Sequence, residues 1–259
     1  QSAAHAECAY YLESQLNRFC DTGFIQEATI THKGKALPIK NIIGVFNPEA
    51  TKRILLCAHW DTRPQADEDE ERPTEPADGA NDGGSGVGVL LEVARQLSLQ
   101  IPDEGVDIVF FDAEDMGDRM GRPETWCLGS QYWAKRPHKE NYVARFGILL
   151  DMVGPENPVF AIEGYSWQYA QPYVKKVWGT ANKLGYGKYF VNYRGGSITD
   201  DHVFINQIAG IPTLNIIHYD ESQGGFGDFW HTHEDNMETI SKETLKAVGE
   251  TVFMVVKEF

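Results

Sequence analysis

Histidines and carboxylates recur in one kind of place in this sequence, directly after short apolar runs. Residues 54–58, Ile-Leu-Leu-Cys-Ala, run into His59-Trp60-Asp61. Residues 106–111 run into Asp112-Ala113-Glu114-Asp115, residues 148–150 into Asp151, and residues 212–217 into His218. Apolar runs of this length read as strands buried on both faces of a sheet. Open α/β sheets bind ligands in the crevice outside the carboxyl ends of their strands. The polar groups therefore converge on one sheet edge. Imidazole nitrogen mixed with carboxylate oxygen is a donor set that suits Zn²⁺. Each group alone has a blander reading. An Asp after a strand is commonly a turn or cap residue, and a lone His-x-Asp is usually a surface accident. Their joint occurrence at strand ends is what argues for metal chemistry. The segment Gly79-Ala80-Asn81-Asp82-Gly83-Gly84-Ser85-Gly86 has the glycines of a phosphate cradle. It lacks a lysine, and Asp82 would repel an anion.

The elements that must carry these groups follow from periodicity. Residues 3–18 read as an amphipathic helix, and 27–32 and 39–46 as a strand pair turning at Lys33-Gly34. Strands are expected at 54–58, 106–111, 148–150, 159–162 and 212–217. Helices are expected at 87–97 and 168–184, and after Ser241, which reads as an N-cap. A long loop holds the acidic run 67–71, read as solvated, and Pro64, Pro73 and Pro76; such loops are often functional. The alternation predicts one α/β domain over 1–259, with a mixed, mainly parallel sheet sandwiched between helical layers.

Length and composition narrow the class. The chain has 259 residues, 42% hydrophobic and 24% charged, so it is globular and not disordered. Its formal charge of −15 repels phosphate backbones, which excludes nucleic acid as a partner. No apolar run approaches the ~20 residues of a membrane helix. Four cysteines are too few for a disulfide scaffold. Cys8 and Cys20, read in one helix, would lie roughly 18 Å apart. Oligomeric state is not readable.

The order His59-x-Asp61, 79–86, Asp112-Ala113-Glu114-Asp115, Leu150-Asp151-Met152-Val153-Gly154, Asp201-His202 and His231-Thr232 resembles the zinc-dependent aminopeptidase superfamily, from about residue 54 onward. Within it the chain is most similar to the glutaminyl cyclases of bacteria. Three segments carry that finer match: residues 149–160, Thr199-Asp200-Asp201-His202 with Asp at 200 in place of the usual Ser, and Phe229-Trp230-His231-Thr232. There are departures. Asp115 stands where relatives have Glu, and Ala58 where the animal enzymes have a disulfide-forming Cys.

The resemblance implies one zinc ion per chain held by Asp82, Asp115 and His231, with a fourth place open. It implies Glu114 as general acid/base, with Asp200 in hydrogen-bonding reach and Asp151 nearby. Trp230 and Phe226 would line the substrate pocket, with Trp126 the nearest candidate for a further pocket tryptophan. His202 would brace the site, and His233 would not be a ligand. The implied reaction is cyclisation of an N-terminal glutamine of peptides or proteins to pyroglutamate, with loss of ammonia. Two carboxyls this close would share a proton. The alternative is a two-metal aminopeptidase, with His59 and Asp151 on a second zinc. A binding module with dead chemistry is disfavoured because every catalytic position carries a competent residue. The implied compartment is the bacterial periplasm or cell envelope, any signal or anchor having been trimmed ahead of Gln1.

Overall fold

Parallel strands that end together explain why the polar groups meet. A computed structural model describes residues 2–118 and 121–259; Gln1, where the trimmed start was read, lies outside them. β1 (Thr22–His32) and β2 (Lys35–Phe46) form an antiparallel hairpin, longer than the sequence runs suggested. Its turn is Lys33-Gly34, as read, with φ of 49° and 75°, the backbone a two-residue hairpin turn demands. β2 pairs antiparallel with β4 (Gly105–Phe111). β4, β3 (Arg53–His59), β5 (Phe146–Asp151) and β8 (Thr213–Ile217) are parallel neighbours. The order is β1-β2-β4-β3-β5-β8, and every residue of the four parallel strands is buried. This is the mixed, mainly parallel sheet that the alternation predicted.

Side-chain alternation splits β3 between two layers. Ile54, Leu56 and Ala58 join a large core with Leu16 of α1 (Ala3–Asn17), Leu90 of α2 (Gly84–Leu99), Val177 of α4 (Gly164–Lys183) and Val252 of α6 (Lys242–Lys257). Leu55 and Cys57 face a smaller core with Trp133 of α3 (Leu128–Lys135) and with Ile205, which follows α5 (Asp201–Phe204). Helices therefore cover both faces. In α6, residues 244, 247, 248, 251, 252, 255 and 256 are the buried ones, the i, i+3, i+4 stripe of a helix on a core. Ser241 caps it, accepting from the Thr244 N–H. Among the described residues no helix is long and apolar enough to cross a membrane.

Some boundaries differ from expectation, and two elements were not foreseen. The helix predicted over 168–184 begins at Gly164, because the Glu163 carboxylate accepts from the Tyr165 and Ser166 amides and starts it earlier. The strand expected at 159–162 is present but lies outside the central sheet. β6 (Phe160–Ile162) pairs instead with β7 (Phe190–Arg194), a strand with three exposed residues and so no apolar signature. α3 also escapes sequence reading, being only eight residues long. The first helix stops at Asn17, so Cys20 lies beyond it; Cys8 and Cys20 are both free thiols.

One close approach sets the site. A Cβ on Gly86 would lie 2.3 Å from the Leu150 carbonyl oxygen and 3.0 Å from Ala58 Cβ. The first turn of α2 thus rests on β3 and β5, which brings Asp82, just before it, against the ends of both strands. Gly86→Ala should destabilise the protein by about 1–3 kcal/mol through overpacking. Gly88→Ala, where a Cβ meets nothing within 4 Å, should stabilise α2 by up to about 1 kcal/mol. Urea unfolding of the two variants checks both signs.

Candidate metal centre and active-site pocket

Asp82, Asp115 and His231 converge from three separate elements: the turn before α2, the loop after β4, and the loop between β8 and α6. His231 Nε2 lies 3.2 Å from Asp115 Oδ1 and 3.5 Å from Asp82 Oδ2. One donor atom from each lies within 4.8 Å of the others, and all three residues are buried. A second group shares Asp82. His59 Nε2 lies 3.0 Å from Asp82 Oδ1 and 3.1 Å from Asp151 Oδ1. Asp82 therefore turns one oxygen toward each imidazole.

Backbone amides hold this arrangement. Asp61 accepts from the amides of Glu114 (2.9 Å) and Asp115 (3.1 Å). Asp235 accepts from those of Asn81 (2.6 Å) and Asp82 (3.0 Å). Arg63 donates to the Asp115 and Gly117 carbonyls and pairs with Asp67 at 2.6 Å. Asp67 Oδ1 then lies 3.4 Å from His231 Nδ1, leaving Nε2 for the carboxylates. Four non-glycine residues here are left-handed: Ala113 before Glu114 (φ 57°), Cys127 ahead of α3 (φ 55°), Met152 after Asp151 (φ 45°) and His231 itself (φ 55°). Such backbone is costly for a residue with a Cβ and gathers at functional sites.

Glu114, Asp200 and Cys127 form a third cluster, with donor atoms within 4.8 Å of one another. The hydrogen-bond partner of Glu114 is Cys127, whose thiol donates to Oε1 over 3.0 Å. Asp200 accepts from the Asp201 amide and from Asn215 Nδ2.

The electrostatics are those of crowded acids out of water. Burial, then the charge of Asp115, pushes Glu114 well above the usual carboxylate range. Burial and Asp151 push Asp200 up to about 7. Burial, Asp115 and Asp151 push Asp82 up to about 7. Asp115 goes the other way: burial opposes ionisation, but the His231 hydrogen bond and charge outweigh it. Asp115 Oδ2 is buried without any hydrogen-bond partner. An orphaned acceptor beside a second carboxylate and an imidazole is the donor set of a three-ligand zinc site, and these residues fit that ion.

A cavity of about 460 Å³ opens on the cluster, a size suited to a small ligand. Trp126, Phe226 and Trp230 all line it, as do Ile198, Ile217 and Tyr219. Trp230 stacks on His231 with ring centres 3.9 Å apart, and Phe226 packs on Trp230 at 5.0 Å. Trp126 lies nearly parallel to His231 at 6.4 Å, beneath the Arg63 guanidinium. A larger groove of about 640 Å³ between α2 and α6 has no His or Asp in its lining.

Every residue chosen from sequence for the site lies in these clusters or in the cavity wall. His202 pairs with Glu163 at 2.9 Å, bracing the segment that carries Asp200. His233 bonds Asp69 at 2.8 Å and is not among the candidate ligand groups. The acidic run is a correction. Asp67 and Asp69 are not merely solvated; they tie the loop of His231 and His233 to the rest of the site. Sequence reading also missed Arg63, Cys127, Asn215 and Asp235. Only Arg63, two residues past the His59-x-Asp61 motif, had a neighbouring signal.

Known proteins share this fold. The model of Peptidase family M28 matches residues 41–256. Aminopeptidase YwaD of Bacillus subtilis is 30% identical over 85% of this chain, which spans 44% of that protein's length. A Zn-dependent exopeptidase from Parabacteroides distasonis is 51% identical with a TM-score of 0.97, covering 100% of this chain and 91% of its own. A Bacteroides thetaiotaomicron glutaminyl cyclase, solved with N-acetylhistamine, is 50% identical with a TM-score of 0.97 and the same coverage.

Two outcomes follow from the buried acids. Asp235→Ala should weaken zinc binding by about 10- to 100-fold, since it frees the amides that aim Asp82; titration against a chelator measures this. The second concerns pH. Asp82 and Asp200 rise from the ordinary aspartate value of 3.8 to about 7 in the folded, metal-free protein. The folded state then binds more protons than the unfolded one, so their contribution is complete below pH 4 and lost as pH rises through 7. Zinc would replace the proton on Asp82. Added zinc should therefore raise the Tm of metal-free protein more at pH 8 than at pH 5, and equal increments would contradict the assignment.

Proposed function

The chain belongs to Peptidase family M28, and from that premise we propose that it is a zinc-dependent glutaminyl-peptide cyclotransferase. It converts the N-terminal glutamine of a peptide or protein to pyroglutamate and releases ammonia. The observation that carries this reading is the Glu114–Asp200 pair beside the metal group, in the wall of an aromatic-lined cavity. The likeness to a glutaminyl cyclase supports it. The equal likeness to an exopeptidase makes the site the deciding matter.

Asp82, Asp115 and His231 would hold one zinc ion. When bound, it would supply Lewis acidity to the glutamine side-chain amide carbonyl. Glu114 takes a proton from the substrate's α-amine as that nitrogen attacks Cδ, the side-chain amide carbon. A C–N bond closes the lactam ring. Glu114 returns the proton to the departing amide nitrogen, and the old C–N bond breaks. One bond forms, one breaks, ammonia leaves, and no water is consumed. Asp200, raised by burial and Asp151, stands beside Glu114, and two such carboxyls share a proton. Asp151 adds to that effect and holds His59. Trp126, Phe226 and Trp230 keep the glutamine bent and shed water. Because the reaction is intramolecular, much of the acceleration comes from that bend. We also assign the reaction to a bacterial cell envelope, where exported peptides would meet it.

One observation favours a second reading. Asp82 faces both His59 and His231, and the His59, Asp82 and Asp151 group would hold a second ion. Mass spectrometry of a Gln-initiated peptide incubated with zinc-loaded enzyme separates the two. Loss of one ammonia with the chain intact is expected, with kcat reduced about 10²- to 10⁴-fold in Glu114→Gln. Free glutamine and a shortened peptide would mean a peptidase.

A further inference from the structure

Cys127 has no part in the reaction above, yet its thiol donates to Glu114 Oε1 over 3.0 Å. Three features show that this contact is built and not incidental. Cys127 has φ of 55°, where glycine or asparagine is the usual residue. It precedes α3 but caps nothing: its side chain makes no bond to the helix. Its backbone is pinned to the Glu114 segment, the Cys127 amide donating to the Glu114 carbonyl (2.9 Å) and the Leu128 amide to that of Ala113 (3.0 Å).

The helix behind cannot retreat. A Cβ on Gly129 would lie 2.2 Å from the Asp112 carbonyl oxygen and 2.6 Å from Asn41 Oδ1. Asn41 Nδ2 meanwhile bonds the Gly129 carbonyl at 3.0 Å. Burial and the charge of Glu114 keep the thiol protonated, hence a donor. Glu114 also lines the cavity.

We infer that Cys127 is a positioning residue, whose thiol fixes one oxygen of Glu114 so that the other is presented to the reacting nitrogens. This rests on the reading of Glu114 as acid/base. A thiol holds direction while remaining a weak donor, so it orients the carboxyl without strongly favouring its ionised form.

The test is steady-state kinetics of zinc-loaded Cys127→Gly, Cys127→Ser and Glu114→Gln on a Gln-initiated peptide, with zinc content and Tm measured alongside. Cys127→Gly relieves the backbone strain while removing the thiol. It should lower kcat about tenfold, the loss of one hydrogen bond, with KM and zinc content unchanged. Cys127→Ser keeps a donor and should restore most of kcat. Wild-type kcat in Cys127→Gly would overturn the inference. So would equal losses in the two cysteine variants, or a loss shared between kcat, KM and zinc, because each would mean packing alone. Full activity in Glu114→Gln would instead overturn the reading of Glu114, a separate failure.

Discussion

Negative charge packed where water cannot reach it is the constraint on which the rest depends. Asp61, Asp82, Glu114, Asp115, Asp151, Asp200 and Asp201 are all buried at one end of the sheet, with His59 and His231 among them. At low effective dielectric their mutual repulsion is large. It can be relieved only by protons, by donors or by a cation. The fold uses all three: amides aimed at Asp61 and Asp235, imidazoles set between carboxylates, and a three-residue group shaped for a metal ion. Acids that titrate near neutrality are the product of that crowding, and they are what a proton-transfer reaction needs.

The sheet supplies the convergence and the loops supply the aim. Four parallel strands deliver their following residues to one edge, but strand ends alone would leave those side chains free to face solvent. The left-handed residues at 113, 127, 152 and 231 turn the chain sharply at the points where a carboxylate, a thiol or an imidazole must face inward. The carboxylate of Asp235 and the guanidinium of Arg63 then fix peptide units, which fixes the side chains attached to them.

The parts of this site that were legible in the sequence are those with a pattern behind them. Apolar runs ending in His59, Glu114-Asp115 and Asp151 marked both the sheet and its chemistry, because burial on two faces leaves an unbroken hydrophobic signature. His231 and Asp200 needed the family likeness, since neither follows an apolar strand. Asp235, Asn215 and Cys127 were not legible. A lone acid, a lone amide in a strand and a cysteine two residues before a glycine carry no periodicity, and their meaning lies in contacts across the fold. α3 and β7 were missed for a related reason: elements of eight and five residues, partly exposed, offer too few positions for a pattern.

The ligands are also far apart along the chain. Asp115 and His231 are 116 residues distant in sequence, with two strands of the sheet and the longest helix between them. No short peptide of this chain presents the trio, so the ion has nothing to template while the polypeptide is being made. It must enter a finished site. The aromatic-walled cavity opens on the same ligands, so an ion's exchange route and the path of any small ligand coincide. A tightly seated ligand then acts as a stopper, slowing loss of the ion for as long as it stays.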